Sequence, residues 1–195
     1  MPQTAHSPQH SASAPALALT IAGSEATGGA GAQADLKTFQ ELGVFGIVAL
    51  TCIVSFDPED DWNHRFFPVP TEILQQQLDA IQGDYPERLR TVKLGMQGSP
   101  EVIRTSAAAL RRAEWDHVVL DPVLICKGQE PGHALDTDQA LKAELLPLAT
   151  FTTPNHFETE QLSGMTVRSV EDLTAAARRI HEISGAAVLA KGGMH

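Results

Sequence analysis

A glycine-rich stretch near the amino terminus has the residue types best suited to holding a small polar ligand. Residues 17–22 form a short apolar run, and apolar side chains from residue 36 onward recur with helical spacing. Between them are four glycines: Gly23, Gly28, Gly29 and Gly31. A strand, a glycine loop and a helix in this order bring backbone N–H groups against a small or phosphorylated ligand. The stretch therefore predicts a small-molecule site at the edge of an α/β sheet.

Besides a general small-molecule site, one specific interpretation of this loop is excluded and two remain open. A Walker A loop needs Lys-Ser or Lys-Thr after Gly28, and Gly29-Ala30 stands there, so the standard phosphate loop is excluded. Residues 29–34 fit the loose dinucleotide-binding pattern, although six residues separate the apolar run from it. The glycines could also serve a tight turn without any ligand.

Three further polar motifs follow predicted strands. Asp121 ends the run 118–120, and a carboxylate there can hold Mg²⁺. Asn155 and Glu158 are three residues apart, so one helical turn presents both to a phosphate group and a hydrated Mg²⁺. Lys191 precedes two glycines, Gly192 and Gly193, that allow close approach to a nucleotide.

Each of these motifs also has a purely structural interpretation. Asp121 and the proline after it can be an ordinary turn. Asn155 with Glu158 resembles a helix capping box, and the spacing alone favours that interpretation. Lys191 can be a solvated residue in a strand-end turn. In the loop after Asp121, Lys127 could close over a phosphoryl group and Cys126 could approach an aldehyde, although a buried thiol is the simpler interpretation.

Alternating strand and helix signals predict a mostly parallel sheet with helices on both faces. Residues 44–54 predict a buried central strand, and the polar, proline-containing residues 55–70 predict a loop or small lid. Helices are expected to begin after the capping residues Thr71 and Ser99, at residue 136 or 137, and after residues 155 and 169. The remaining strands are expected at residues 91–94, 118–120, 150–153 and 187–190. In such sheets, ligands bind beyond the carboxyl ends of the strands, where all four polar motifs lie.

Composition narrows the class of protein. The 195 residues suit one α/β domain, expected over residues 16–195, behind a disordered tail or mis-assigned start at residues 1–15. A net charge of −10 without a basic run makes nucleic acid and acidic membranes poor partners. No apolar run approaches the roughly 20 residues of a membrane span. The two cysteines show no pairing pattern, which suits a reducing cytoplasm.

Taken in order, four segments resemble the ribokinase-like vitamin kinases, specifically the hydroxymethylpyrimidine/phosphomethylpyrimidine kinases and the bacterial pyridoxal kinases. They are LTIAGSEATGGAGAQADLKTFQELGVFG, VVLDPVLICKG, TTPNHFETEQLSG and VLAKGG. The resemblance covers nearly all of residues 17–195. It implies a ribokinase-like, three-layer α/β/α fold with a mostly parallel central sheet whose carboxy-terminal part is missing.

The resemblance also implies roles for individual residues and an ATP- and Mg²⁺-dependent kinase. The residues implied to contact the alcohol that accepts the phosphoryl group are Gly23, Ser24, Glu25, Gly31, Phe56 and Met96. Asn155, Lys191, Gly192 and Gly193 would meet ATP, Cys126 and Lys127 would form a lid, and Asp121 and Glu158 would organise Mg²⁺. The partners would be a B6 vitamer or hydroxymethylpyrimidine and ATP, and a homodimer is compatible with the family.

Three departures from the family pattern qualify this resemblance. Phe56 stands where the pyrimidine kinases tend to carry glutamine, whereas residues 62–64, Trp-Asn-His, resemble the pyridoxal-kinase branch. Glu25 replaces the usual aspartate with a longer side chain. The chain stops at His195, before the glycine turn that supplies the family's anion hole, so no catalytic residue is assigned and slow or absent turnover is expected. A vitamer-binding remnant without activity and a dinucleotide-dependent oxidoreductase are the alternative functions.

Overall fold

The computed structural model describes residues 14–124 and 131–193, which form an α/β fold of three layers. The strands are β1 Leu17–Glu25, β2 Phe45–Asp57, β3 Asn63–Pro68, β4 Thr91–Leu94, β5 His117–Leu120, β6 Phe151–Thr152 and β7 Ala187–Val188. The helices are α1 Gly31–Glu41, α2 Thr71–Asp84, α3 Pro100–Arg111, α4 Pro131–Ala140, α5 His156–Ser163 and α6 Val170–Ser184. A π-helical turn, Leu141–Leu145, and a 3₁₀ turn, Leu146–Leu148, continue α4.

The seven strands form one sheet in the order β3-β2-β1-β4-β5-β6-β7. Every neighbouring pair is parallel except β2 and β3, which are antiparallel. The chain leaves β1 toward β2 on one side and later adds β4 on the other side. The strand order therefore reverses between β1 and β4, which is where open α/β sheets bind ligands.

The main core lies on one face of this sheet. Alternate residues of β1 and β4, including Leu19, Ile21, Val92 and Leu94, are buried against α2, α3 and the turns after α4. On the opposite face α1 covers β1 and β2, and Thr20 of β1 donates a hydrogen bond to Asp35 of α1 at 2.6 Å. Successive side chains of a strand point to opposite faces of the sheet, so alternate residues contact one helical layer or the other. These layers and the mostly parallel sheet confirm the predicted fold class.

Local sequence signals explain several helix ends. Ser99 caps α3 by accepting from the N–H of Val102, with Pro100 as the first helical residue. Ser169 caps α6 in the same way, and Gly185 ends that helix in a left-handed conformation. Among the described residues, no helix combines the length and apolar character that a bilayer crossing requires.

The prediction for residues 55–70 was wrong. Strand β2 continues to Asp57, and β3 returns beside it as a hairpin whose tip places Asp61 and Trp62 in left-handed conformations. The prolines concealed this strand, but Pro68 lies at its end on the sheet edge, where a missing N–H costs no ladder bond. Strand β2 is consequently the second strand from the edge and not a central one.

Two helix starts also differ from expectation. Thr71 is the first residue of α2 after Pro70, and no side chain caps that end. Helix α4 begins at Pro131, before residue 136, because proline is well accommodated in a first helical turn. Neither shift moves a predicted site residue.

Candidate functional site

A cavity of about 430 Å³ opens at the carboxyl ends of β1 and β4, where the strand order reverses. Its volume is within the range of small-molecule sites. All the residues predicted to contact an acceptor line it: Gly23, Ser24, Glu25, Gly31, Phe56 and Met96. Asp121, predicted to organise a metal, lies on its rim. The structure therefore brings these residues together, while their individual roles stay predictions.

The β2–β3 hairpin forms one wall of the cavity. Phe56 pairs with His64 across the two strands, and their rings meet edge to face with centroids 4.8 Å apart. An ion pair between Asp57 and Arg65 ties the strands together beside this contact. The hairpin thus presents an aromatic surface to whatever occupies the cavity.

Met96, another residue of the cavity wall, is held in place by contacts with β2. The hydroxyl of Thr51 donates to the carbonyl oxygen of Met96 at 2.7 Å, and the Cys52 thiol lies 3.6 Å from its sulfur. Cys52 is fully buried, and burial raises the pKa of its thiol. It is therefore a packing residue rather than a reactive one.

The glycine loop is organised from within by the side chain of Glu25. This carboxylate accepts from the backbone N–H groups of Thr27, Gly29 and Ala30 at 2.8, 2.9 and 3.2 Å, and from the Thr27 hydroxyl at 2.9 Å. The N–H of Glu25 itself donates to Gln33 of α1 at 3.0 Å. The loop donors that could have bound a phosphate are therefore already bonded to an internal carboxylate.

These hydrogen bonds also set the charge state of Glu25. Burial alone would raise the pKa of its carboxyl, but the bonds from Thr27, Gly29 and Ala30 outweigh burial and hold the pKa below the ordinary value of 4.5. Glu25 is therefore ionised at neutral pH.

Acid should weaken the fold through this residue. A carboxyl whose pKa is lower in the folded chain stabilises the fold above its unfolded pKa and loses that contribution as the pH falls through the folded value. We expect the stability difference between the wild-type chain and Glu25→Gln to be largest at neutral pH and to shrink below pH 4.5. Urea unfolding of both proteins from pH 7 to pH 3 measures it, and a difference that does not change over this range would contradict the assignment.

A second group of polar residues lies beyond Asp121, at the ends of β5, β6 and β7. Asp121 Oδ1 accepts from the Thr153 hydroxyl at 3.4 Å and from Lys191 Nζ at 3.2 Å. The N–H of Lys191 donates to the carbonyl oxygen of Pro154 at 2.8 Å, which fixes the residue beside Asp121. Gly192 and Gly193 follow with open space around them.

Asn155 and Glu158 do form a capping box at the start of α5. Asn155 Oδ1 accepts from the N–H of Glu158 at 2.9 Å, and Glu158 Oε2 accepts from the N–H of Asn155 at 2.8 Å. Burial is the main cause that raises the pKa of Glu158, and the negative charge of Asp121 adds to the rise. The Asn155 hydrogen bond and the charge of Lys191 oppose it. The structural interpretation is thus correct, and it leaves a buried carboxylate with a raised pKa near Asp121.

These carboxylates suit a hard cation that has other ligands as well. In residues 14–124 and 131–193, no three histidine, cysteine or acidic side chains converge as a metal cage. Mg²⁺ does not need one, since it binds through one or two carboxylates together with substrate phosphates and water. The donor set therefore fits Mg²⁺ accompanied by a phosphorylated ligand.

Comparison with known proteins decides the family. The family model described as phosphomethylpyrimidine kinase matches residues 25–195. Pyridoxine kinase of Bacillus subtilis is 45% identical over 181 residues, which cover 90% of this chain and 65% of the relative. Hydroxymethylpyrimidine/phosphomethylpyrimidine kinase of Haemophilus influenzae is 39% identical over 175 residues, covering 90% and 64%. This chain belongs to the phosphomethylpyrimidine kinase family.

Solved structures agree with this family assignment. An ADP complex of Bacillus subtilis pyridoxal kinase matches with a TM-score of 0.85 at 44% identity, covering 93% of this chain and 67% of that one. Pyridoxal kinase from Staphylococcus aureus in complex with pyridoxal matches with a TM-score of 0.82 at 40% identity, covering 93% and 64%. The chain spans slightly less than two thirds of the length of the curated relatives that it matches.

The residues predicted for ATP occupy the second polar group and are not among the residues that line the cavity. Lys191 connects the two regions through its ion pair with Asp121. Cys126 and Lys127, predicted as a lid, lie outside the described residues.

Outside the glycine loop, sequence reasoning missed five residues that line the cavity of this family member: the polar residues Lys93 and His64, and Val54, Gly95 and Val123. Lys93 Nζ forms an ion pair with Asp35 at 3.0 Å on the face covered by α1. A lysine between the apolar residues Val92 and Leu94 of a four-residue strand was the available signal for it. His64 was noted only as part of the Trp-Asn-His resemblance at residues 62–64, and its place in the cavity was missed because its strand had been interpreted as a loop.

Proposed function

We propose that this protein takes part in ATP-dependent phosphorylation of the hydroxymethyl group of a B6 vitamer or of hydroxymethylpyrimidine. The carrying observation is the single cavity in which the glycine loop, Phe56 and Met96 face one another with Asp121 on the rim. A flat heteroaromatic alcohol suits such a site, since Phe56, Met96 and Val54 offer apolar or aromatic surface and polar side chains such as Ser24 and Asp121 line the same cavity.

On this proposal, the nucleotide binds at the second group of polar residues, at the ends of β5, β6 and β7. Asn155 and Lys191 offer donors to phosphate oxygens, and Gly192 and Gly193 leave room for the nucleotide. When bound, Mg²⁺ would neutralise charge on the transferring phosphoryl group. Asp121 and Glu158 would hold it, and Asp121 already lies between the two regions.

The proposed reaction needs positioning more than it needs covalent chemistry from the protein. The alcohol oxygen forms a bond to the γ-phosphorus as the bond to the bridging oxygen of ADP breaks, and the alcohol proton is released. The aromatic wall orients the ring, and the rim carboxylate places the nucleotide end. We assign no general base among the described residues.

Direct binding and turnover measurements test this function. Isothermal titration of the 195-residue chain with pyridoxal, pyridoxine and hydroxymethylpyrimidine is expected to show binding of at least one of them. A coupled assay with ATP and Mg²⁺ then measures transfer. Vitamer binding with neither nucleotide binding nor transfer would favour a non-catalytic binding remnant, and failure to bind any of the three alcohols would overturn the proposal.

An oxidoreductase that uses a dinucleotide receives no support from the loop. Its N–H groups at Thr27, Gly29 and Ala30 donate to Glu25, so they do not offer a cradle to a pyrophosphate. NAD titration in the same calorimeter distinguishes this alternative, since NAD binding would favour it.

Replacing Phe56 with glutamine should shift preference between the two heteroaromatic rings. The amide can hydrogen-bond a pyrimidine, whereas losing the ring removes the edge-to-face contact with His64 and its apolar surface. We expect the ratio of pyridoxal to hydroxymethylpyrimidine affinity to fall by about tenfold, because an aromatic contact and its buried area contribute on the order of 1–2 kcal/mol.

A matched control uses the same substitution in the same hairpin. Phe67 is 55% exposed and does not line the cavity, so Phe67→Gln should leave the affinity ratio unchanged. Equal effects of the two variants would show that the ratio responds to hairpin stability and not to ring contact.

A further inference from the structure

The glycine loop between β1 and α1 is closed around an acidic side chain of its own. Three backbone N–H groups and one hydroxyl converge on the carboxylate of Glu25, and all four donors are within 3.2 Å. Successive N–H groups in such a turn form a concave site that normally binds an external anion. The Glu25 residue is 9% exposed, so most of its surface is covered by the protein.

We propose that Glu25 is a positioning residue: its carboxylate fills the anion site of the glycine loop and thereby fixes the loop as a wall of the ligand cavity. Glu25 itself also lines the cavity, and the effect proposed here is the one that it exerts on the ligand through the backbone that it holds. The inference rests on the proposed function only where ligand affinity is the readout, since the hydrogen bonds stand independently of any ligand.

The start of α1 supports this role. Ala30, the residue that caps the helix, makes no side-chain capping bond, and the first turn contains no acidic residue. A negative charge near this end would stabilise the helix dipole. Glu25 supplies that charge from five residues earlier in the chain, through its bonds to Gly29 and Ala30.

The same loop residues line the cavity. Thr27, Gly29 and Ala30 contact both the Glu25 carboxylate and the open volume, so the position of their backbone sets the shape of that wall. Gln33 and Lys37 of α1 brace the loop from the outside: Gln33 accepts from the Glu25 N–H, and Lys37 donates to the Gly28 carbonyl oxygen at 2.8 Å. Glu25 alone acts from the inside.

Chemical rescue tests whether the anion site of the glycine loop requires a carboxylate. In Glu25→Ala the loop donors lose their acceptor, and space opens where acetate or formate can bind. We expect amide hydrogen exchange at Gly29 and Ala30 to accelerate at least about tenfold, which corresponds to one hydrogen bond to a charged group. Pyridoxal affinity should fall by a similar factor, and acetate or formate should restore both, whereas chloride should not.

Two further variants sharpen the test. Glu25→Gln should show the same loss without rescue, because the amide still occupies the space. Glu160→Ala is the matched control: Glu160 also accepts a loop N–H, from Val167 at 2.7 Å, but it lies outside the cavity, so this variant should keep wild-type pyridoxal affinity with or without acetate.

The outcomes separate this inference from the proposed function. Unchanged exchange at Gly29 and Ala30 in Glu25→Ala, or equal recovery with chloride and acetate, would overturn the role of Glu25. If Glu25→Ala is unfolded by circular dichroism, refolding on addition of acetate supports the role and failure to refold with any carboxylate contradicts it. A wild-type chain that binds no pyridoxal would contradict the proposed function, and the exchange and rescue measurements would still decide the role of Glu25.

Discussion

Replacing Gly31 with alanine is expected to destabilise the fold by about 2–5 kcal/mol, from left-handed strain and overpacking together. Gly31 has a φ of +62°, and a Cβ added there would lie 2.3 Å from the carbonyl oxygen of Gly23. That oxygen belongs to the backbone of β1 and cannot rotate away. Either β1 or the start of α1 must move, and both border the cavity.

Gly43 provides the matched control for this substitution. It follows α1, has a φ of +70°, and would place an added Cβ in open space. Gly43→Ala should therefore cost only the conformational strain, about 1–2 kcal/mol. Urea unfolding with comparison of m-values measures both free energies. Equal losses for the two variants would contradict the close contact between Gly31 and Gly23.

Local patterns in the sequence predicted the order of the elements, but not the contacts between distant residues that shape the site. The order of strands and helices, and the position of polar motifs at strand ends, follow from local periodicity and from the chirality of parallel sheets. These rules placed Gly23, Asp121, Asn155 and Lys191 at one edge of the sheet before any contact was known, whereas Phe56 and Met96 came only from the family resemblance. The family resemblance added the grouping into acceptor and nucleotide sides.

Contacts between distant residues were beyond that reasoning. The ion pair of Lys191 with Asp121 joins residues seventy positions apart, and the pair of Lys93 with Asp35 joins two elements with no common motif. The β2–β3 hairpin was missed because the prolines indicated a loop, whereas an edge strand tolerates proline at its end. Cross-strand pairing then brought His64 to Phe56.

The role assigned to Glu25 changes once its contacts are known. The family resemblance implied that Glu25 contacts an acceptor directly. In the fold, the carboxylate faces the loop's own N–H groups, and the loop faces the cavity. The sequence contains both partners but does not specify which of them meets the ligand.

Replacing Asp121 with asparagine should have the largest effect on nucleotide chemistry. Asparagine keeps the size of the side chain and an oxygen that can accept from Thr153, but it removes the negative charge that pairs with Lys191 and would bind Mg²⁺. Metal-ion stabilisation of a transferring phosphoryl group is worth several kcal/mol, so the transfer rate should fall by about 100-fold or more. The Mg²⁺ dependence of ATP affinity, measured by titration with and without Mg²⁺, should weaken in parallel and needs no turnover.

Asp116 gives a control at the other end of the same strand. It precedes β5 as Asp121 follows it, and it is ion-paired with Arg90 at 3.1 Å, far from the cavity. Asp116→Asn removes the same charge and one exposed ion pair, which typically contributes less than about 1 kcal/mol, so nucleotide affinity should keep its wild-type Mg²⁺ dependence. If both variants weaken that dependence equally, the effect comes from net charge. If Asp121→Asn leaves it intact, Asp121 does not hold the metal, and its bonds to Thr153 and Lys191 serve only to join β5, β6 and β7.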